Sequence, residues 1–437
     1  MSFEPELLRD IIEVNPKTGI VKGQLYPFMD MAAITEWQRD VPLKSLVPRE
    51  FRGSGSKFQS GDILLARITP CFENGKTAVA PAISTAGHGS TEFIVIRAKN
   101  PEDRAFIYAL MRSEDFRAHA IKSMVGSSGR QRIPNDALNT YSTVLPAQAY
   151  RARASKLLCA IEDLCFSLKS QNTALESIAQ TLFRSWFINF APVHAKVAGN
   201  EPEAMSAELA ALFPSEFEDS ELSLIPKGWV PGRLSDICNL NPESWSAKTH
   251  PVVIKYVDLS GLKENVFSEP VEFTFGDAPS RARRVLRKGD SLYGTVRPGN
   301  LSYGFVGGSE AGLTGSTGFA VLRPMNKNST EFVYCAMTLT ENIVRLTHLA
   351  EGAAYPAVRP DIVHKQPLVV PSSEVMQAFH KTTAPLFSLH ANNCRLVSCL
   401  VSLRDHLLPR LISGKLRIED AEASVTEITS ELEAEPV

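Results

Sequence analysis

The sequence predicts an α/β (mixed α+β) chain: two similar domains, each followed by a long helix, with the two helices pairing as an antiparallel coiled coil. Two observations predict it. First, two stretches carry apolar residues in steps of four and three, the rhythm of a narrow helical seam. Leu157, Ile161, Leu164, Leu168, Leu175, Ile178 and Leu182 mark one, and Val375, Phe379, Leu386, Leu389, Leu396, Leu400, Leu403 and Leu407 mark the other. Second, the residues ahead of each seam repeat. Asp10-Ile11 and Asn15-Pro16 return as Asp236-Ile237 and Asn241-Pro242, and Gly61-Asp62 returns as Gly289-Asp290. Gly89-Ser90-Thr91 with Phe93 returns as Gly315-Ser316-Thr317 with Phe319, Pro134 as Pro360, and Leu145-Pro146 as Val370-Pro371. Each anchor is weak alone; together, at a nearly constant offset, they read as a duplication.

In chain order, residues 1–146 form the first domain. Residues 63–68 and 93–97 are β-rich runs bounded by Gly61-Asp62 and by the cluster Gly87–Gly89. A helix over 106–120, a loop from Gly126 to Arg132 and a last strand over 141–145 complete it. The first long helix covers 147–194. An acidic linker, 195–225, follows, with a short helix over 204–212. The second domain covers 226–371 and the second long helix 372–416. The tail, 417–437, is acidic and expected to be disordered. Each seam has one amide near its middle, Gln171 and Asn393. A buried amide is satisfied only opposite another polar group, so this pair is expected to set the register.

Composition narrows the function classes. At 437 residues the chain holds two or three domains. No apolar run is long enough to cross a bilayer, and the N-terminus lacks a signal-peptide core. Seven cysteines with no CxxC spacing fit a reduced, cytoplasmic protein. The net charge of -2 hides an uneven distribution. The linker and the tail hold much of the acidity, leaving a mild positive balance elsewhere that permits nucleic-acid binding. Phosphate loops, dinucleotide fingerprints, HExxH or Cys/His metal spacings and nucleophile elbows are missing from the sequence. Neither Asn15-Pro16 nor Asn241-Pro242 is followed by the aromatic residues of amino-methyltransferases. The expectation is no catalytic residue and no metal site on this chain. His88, between two glycines, reads as a solvent-exposed loop residue.

The recognition candidates sit in loops. Ser127, Ser128, Arg130, Gln131 and Arg132 combine flexible backbone with long donors. Arginine matches guanine edges, glutamine matches adenine edges, and serine reaches phosphates. Arg67, Asn74 and Lys76 flank another strand–loop junction. Arg297 and Asn300, with Tyr355 and Arg359, hold the corresponding places in the second copy, beside a basic cluster of Arg281, Arg283 and Arg284. Any one of these could simply be a solvated turn residue. Trp186 and Phe187 have two readings: an anchor for a partner subunit, or a cap on the core between helix and domain.

The duplicated domain-plus-helix plan, the signature Leu-Phe-Arg-Ser-Trp-Phe-Ile-Asn-Phe at 182–190 and Leu-Leu-Pro-Arg-Leu-Ile-Ser-Gly-Lys-Leu at 407–416 together resemble the DNA-specificity subunit of Type I restriction-modification systems. The resemblance covers nearly the whole chain. It implies two target-recognition domains, each reading one half of a split double-stranded DNA target, with the helix pair as a ruler. A seam of about 35 residues is roughly 50 Å long, on the order of 15 base pairs at about 3.4 Å per base. It also implies two modification subunits that carry S-adenosylmethionine and flip an adenine, and restriction subunits that use ATP and Mg, with no cofactor on this chain. An enzyme with an unrecognised active site and a coiled-coil scaffold without DNA affinity are the competing readings.

Overall fold

The computed structural model describes residues 6–434 except 128, 222, 351 and 353–355. It comprises two compact units: Met1–Ser167 with Leu396–Pro436, and Leu168–Arg395. The first long helix (Gln148–Phe183) and the second (Ser373–Ile412) each contribute one part to each unit.

In the first unit, eight strands form two four-stranded sheets. They are β1 (Ile12–Val14), β2 (Leu25–Met29), β3 (Val47–Glu50), β4 (Ser56–Phe58), β5 (Ile63–Ala66), β6 (Thr77–Val79), β7 (Gly87–Gly89) and β8 (Phe93–Ala98). One sheet has the order β1-β8-β5-β6 and is antiparallel; the other has the order β3-β2-β7-β4, with β2 and β7 parallel. β5 and the first four residues of β8 are buried, which explains their unbroken apolar runs. Met29, Phe58, Leu64 and Phe93 join the two sheets in one core.

Gly87–Gly89, expected to bound a strand, is itself one. A Cβ on Gly89 would stand 2.7 Å from the Met29 carbonyl oxygen, so glycine permits the close approach of β2. His88 is buried, not solvated. Its Nε2 lies 3.1 Å from the Arg49 carbonyl oxygen, and its ring meets those of Phe28 and Phe51 edge-on. The helix expected over 106–120 is broken into Arg104–Arg112 and Glu114–Lys122. Ser113 adopts an extended conformation between them and caps the second through its hydroxyl. The expected last strand shrinks to Ser142–Thr143.

The second unit repeats the plan: β9 (Cys238–Leu240), β10 (Val253–Val257), β11 (Val271–Thr274), β12 (Ala282–Val285), β13 (Ser291–Gly294), β14 (Tyr303–Phe305), β15 (Leu313–Ser316) and β16 (Phe319–Pro324). The sheet orders, β9-β16-β13-β14 and β11-β10-β15-β12, match the first copy strand for strand. The anchors are structural. Asn15 and Asn241 both have left-handed backbones, φ 50 and φ 48, and their side-chain oxygens accept from Val95 N and Val321 N, both at 3.0 Å. Asp62 and Asp290 are buried and pair with Arg97 and Arg323, each at 2.7 Å.

The helices run antiparallel within each unit. In the first, Arg404 donates to Glu162 at 2.7 Å and the Tyr150 hydroxyl to the Leu416 carbonyl at 2.6 Å. In the second, Asn393 donates to Asn172 at 2.9 Å, and the rings of Phe183 and Phe379 are 6.0 Å apart. Leu157, Ile161 and Leu168 on the first helix and Val375, Phe379, Leu400 and Leu407 on the second are buried as expected, while other positions of each seam are displaced by one residue. Cys165, Asn172, Ala179 and Phe183 are buried where Leu164, Gln171, Ile178 and Leu182 were expected, and Ile178 is 49% exposed. On the second helix Thr383 and Phe387 are buried, and Leu389 is exposed. Cys165, Asn172 and Ala179 stay seven residues apart, so the seven-residue rhythm holds and these positions simply lie a residue further on.

That one-residue shift corrects the register pair. Gln171 is exposed and meets Asn393 only at 3.5 Å; Asn172 supplies the close contact, and its amide also reaches the His390 carbonyl at 3.2 Å. Deeper in the same unit, the Tyr334 hydroxyl donates to the Glu176 carboxylate. Burial holds the Glu176 carboxyl above its usual pKa, outweighing its bonds to Tyr334 and Asn265.

The signature at 182–190 is core. Arg184–Ile188 forms a π-turn that inserts an extra residue, so Trp186 and Phe187 both turn inward, each 3% exposed. They pack among Phe183, Phe213, Trp229, Phe332 and Phe379. The partner-anchor reading is therefore corrected, since buried side chains offer no surface to a partner. The segment expected as a linker is folded. Helices Ala191–Val197 and Ala207–Ala211 and the hairpin Phe217–Ser220 with Ser223–Pro226 occupy it, tied by Lys196 Nζ to the Ala210 carbonyl at 3.0 Å. The tail expected to be disordered forms the helix Ile418–Ala434. Ile418 and Ala421 are buried on it, and Arg153 pairs with Glu419 at 2.8 Å, which together hold it in the first unit.

Candidate nucleic-acid interface

In the first copy, three backbone links gather the candidate loop around the end of β5. Arg67 N donates to the Glu92 carbonyl at 2.9 Å, Ile133 N donates to the Arg67 carbonyl at 2.9 Å, and Ile68 bridges to Arg132. Thr69 and Gln131 are joined by Thr69 N to the Gln131 carbonyl at 3.0 Å and Gln131 N to the Thr69 hydroxyl at 3.1 Å. The loop tip is a turn in which Arg130 N donates to the Ser127 carbonyl at 3.0 Å; Ser127 and Arg130 are exposed. Ser128 lies outside the described residues.

The arginines here differ in what they have left to give. Arg132 donates to both Glu92 oxygens, at 3.0 and 2.7 Å, and its hydrogen bonds hold the Glu92 carboxyl below its usual pKa. Its guanidinium is thus largely spent within the protein. Arg67 donates through Nη2 to the Ile133 carbonyl at 2.7 Å, while its Nε is buried without a partner. A buried unmet donor costs about 1–3 kcal/mol. Arg67 also lines a cleft of about 310 Å³ between the two sheets, with Asn15, Ser56, Lys57 and Thr91, over Phe93.

Asn74 and Lys76 do not join this cluster. Asn74 donates to Glu36 at 3.0 Å, and Lys76 Nζ donates to the Met31 carbonyl at 3.2 Å, so both brace the segment after β2.

The second copy keeps the same backbone frame. Thr295 N donates to the Gly318 carbonyl, Val358 N donates to the Thr295 carbonyl, both at 2.9 Å, and Val296 bridges to Ala357. The side chains on that frame are replaced: Arg67, Glu92 and Arg132 correspond to Thr295, Gly318 and Ala357. The predicted residues Arg297 and Arg359 lie beside it. Arg297 N donates to the Pro356 carbonyl at 2.7 Å, Asn300 N donates to the Arg297 carbonyl at 2.8 Å, and Arg297 and Asn300 are exposed. Arg359, its side chain 79% exposed, pairs with Asp361 at 3.1 Å. Tyr355 lies outside the described residues. In the basic cluster, Arg283 stacks over Phe275 at 4.6 Å, and Arg284 donates to the Ser244 hydroxyl at 3.3 Å with its Nε buried and unpartnered. Burial pulls the Arg284 guanidinium below its usual pKa.

Sequence reasoning missed Lys57, Thr91, Glu92 and Asn172. The first three lie near anchors that were read only as repeat markers; comparing the copies at Glu92 and Gly318 could have exposed the difference. Asn172 is adjacent in sequence to the amide that was chosen.

Among the described residues, no group of three or more His, Cys, Asp and Glu could hold a metal ion. No described helix is long and apolar enough to cross a membrane. Fold and site define a duplicated recognition protein: one backbone frame used twice, with different side chains at the same stations. No family model matches the chain. It is 26% identical over 370 residues to the Type I restriction enzyme MjaIX specificity subunit of Methanocaldococcus jannaschii, covering 83% of this chain and 79% of that relative. It is 22% identical over 416 residues to the HindI specificity subunit of Haemophilus influenzae, covering 84% and 89%. The crystal structure of the Type I system S subunit from M. genitalium shares the fold, with a TM-score of 0.50 at 14% identity over 94% of this chain and 96% of that one. The chain is thus similar over most of its length to proteins named as Type I restriction enzyme specificity subunits.

Proposed function

We propose that this chain reads a bipartite double-stranded DNA target, one half with each mixed α/β domain, and directs partner subunits to it. The observation that carries this reading is the shared eight-strand frame with unlike side chains at equivalent stations. Two different half-sites need this arrangement: a common pose for the backbone and separate chemistry at the surface. The partners are two modification subunits, which bring S-adenosylmethionine and methylate adenine, and restriction subunits that use ATP and Mg; this chain itself binds no cofactor. In the first domain the DNA contacts are Arg67 and the loop holding Ser127, Ser128, Arg130, Gln131 and Arg132, with the Arg132 guanidinium bracing that loop through Glu92. In the second they are Arg297, Asn300, Tyr355 and Arg359. Asn74 and Lys76 support the first domain and are not readers.

The test is methylation mapping of DNA from cells carrying this chain with its modification subunit, against cells lacking only this chain. A split adenine-methylated motif that vanishes with the chain supports the reading. Exchanging residues 226–371 for those of a relative should then change one half of the motif. Identical methylation with and without the chain, in cells where the modification subunit is active, refutes it.

A further inference from the structure

The two copies differ at the space between their sheets. In the first copy this space is open, the cleft of about 310 Å³ beside Arg67. At roughly 30 Å³ per water it has room for about ten waters, more than a single ion needs. In the second copy the segment after Asn241-Pro242 fills the corresponding space. Ser244 bridges to Arg284, Val285 N donates to the Glu243 carbonyl at 3.2 Å, and Trp245 N donates to the Arg283 carbonyl at 2.8 Å. Glu243 seals the end by pairing with Arg287 at 2.6 Å and Arg323 at 2.5 Å. After Asn15-Pro16, the first copy has Lys17-Thr18, and that segment makes no such bridge to β4.

The open cleft has the chemistry of an anion site. Its lining includes two cations, Lys57 and Arg67, and no carboxylate. The nearby Glu92 carboxylate is neutralised by Arg132. Arg67 is held in place by one bond to Ile133 and keeps donors unspent, the fork that suits a phosphate. Lys57 Nζ rests 5.0 Å from the Phe51 ring and has no described acid partner. Thr91 adds an exposed hydroxyl.

We propose that this cleft receives a backbone phosphate, with its sugar, of the bound DNA, and that the second copy has no equivalent subsite. The proposal rests on the DNA-reading function above. It makes Arg67 a phosphate contact that seats the first domain, leaving sequence readout to the loop at 127–132.

The test uses the complex assembled with its modification subunits and two duplexes, one with the mapped target and one without. Each lost phosphate contact lowers the slope of log affinity against log salt by about 0.9, which is roughly eightfold in affinity at 0.1 M salt. Arg67→Ala should weaken both duplexes by that same factor, reduce the slope by about one, and leave the methylated sequence unchanged. Lys57→Ala, whose side chain contributes to the fold chiefly by covering the Phe51 ring, should act in the same direction and carries the test if Arg67→Ala fails to fold. Unchanged slope and affinity in both variants overturn the proposal. So does a relaxed base preference at one position, which would make Arg67 a base reader. If the wild-type complex shows no target-dependent binding, the function proposed above fails instead.

Discussion

Replacing Asp62 by alanine isolates one of the repeated anchors. Asp62 is 2% exposed and accepts from Arg97 Nε and Nη2, both at 2.7 Å, and from Gln59 N at 2.9 Å. Removing one partner of a buried pair costs about 3–5 kcal/mol, because the other charge is left behind. The Arg97 side chain is 21% exposed, so water recovers part of that, and the lower end, about 3 kcal/mol, is expected. For a domain of 150–250 residues this lowers the melting temperature by about 6–12 °C. The twin, Asp290→Ala, should cost less although Asp290 is fully buried, since Arg323 keeps Glu243 at 2.5 Å. Calorimetry of the purified chain measures both, and methylation mapping checks that the recognised sequence is unaltered. A loss under about 1 kcal/mol for Asp62→Ala, well below the buried-pair range, or a larger loss at Asp290, refutes the account. A changed target sequence would show that the anchor reads DNA rather than holding the sheet.

Trp186→Ala should destabilise the second unit by about 3–5 kcal/mol, as expected for a buried aromatic; an unchanged melt with lost partner assembly would restore the surface reading. Asn393→Leu strands the Asn172 side-chain oxygen and should cost about 1–3 kcal/mol, while the double change with Asn172→Leu should recover much of it in a double-mutant cycle; strict additivity would contradict the pairing. Glu176→Gln tests the buried carboxyl. Its folded pKa is raised, so its favourable contribution is fully present below the unfolded value near 4.5 and is lost as pH rises through the folded value. Near pH 7 the charged form is a burden, so the amide should raise the melting temperature there, with the gain shrinking as pH falls toward 4.5. A gain that grows on acidification would reverse the assignment.

Much of this molecule was legible from residue order. The anchors stand out because each meets a local demand. Asn15 and Asn241 take a left-handed backbone and bond to the neighbouring strand, and the aspartates of Gly61-Asp62 and Gly289-Asp290 neutralise an arginine on the adjacent strand of the sheet. The helix seams were visible, and part of each was read in place, but other positions lie a residue further on, because adjacent residues such as Gln171 and Asn172 fit the same spacing until the facing helix selects between them. The fates of Trp186 and Phe187 also escaped: a π-turn of a few residues decides whether both can face inward.

The sequence by itself determined the duplication, the two long helices and the loops that could meet DNA. These follow from spacing, which is a local property of the chain. Only the tertiary structure decided which of several arginines keeps unspent donors. Arg132 and Arg67 look alike in a sequence, yet one is occupied by Glu92 and the other borders an open cleft. Likewise only folding shows that Glu243 and Ser244 close in one copy the space that the first copy leaves open. Charge pairing and cleft shape depend on which distant segments meet, and that is settled by packing between sheets.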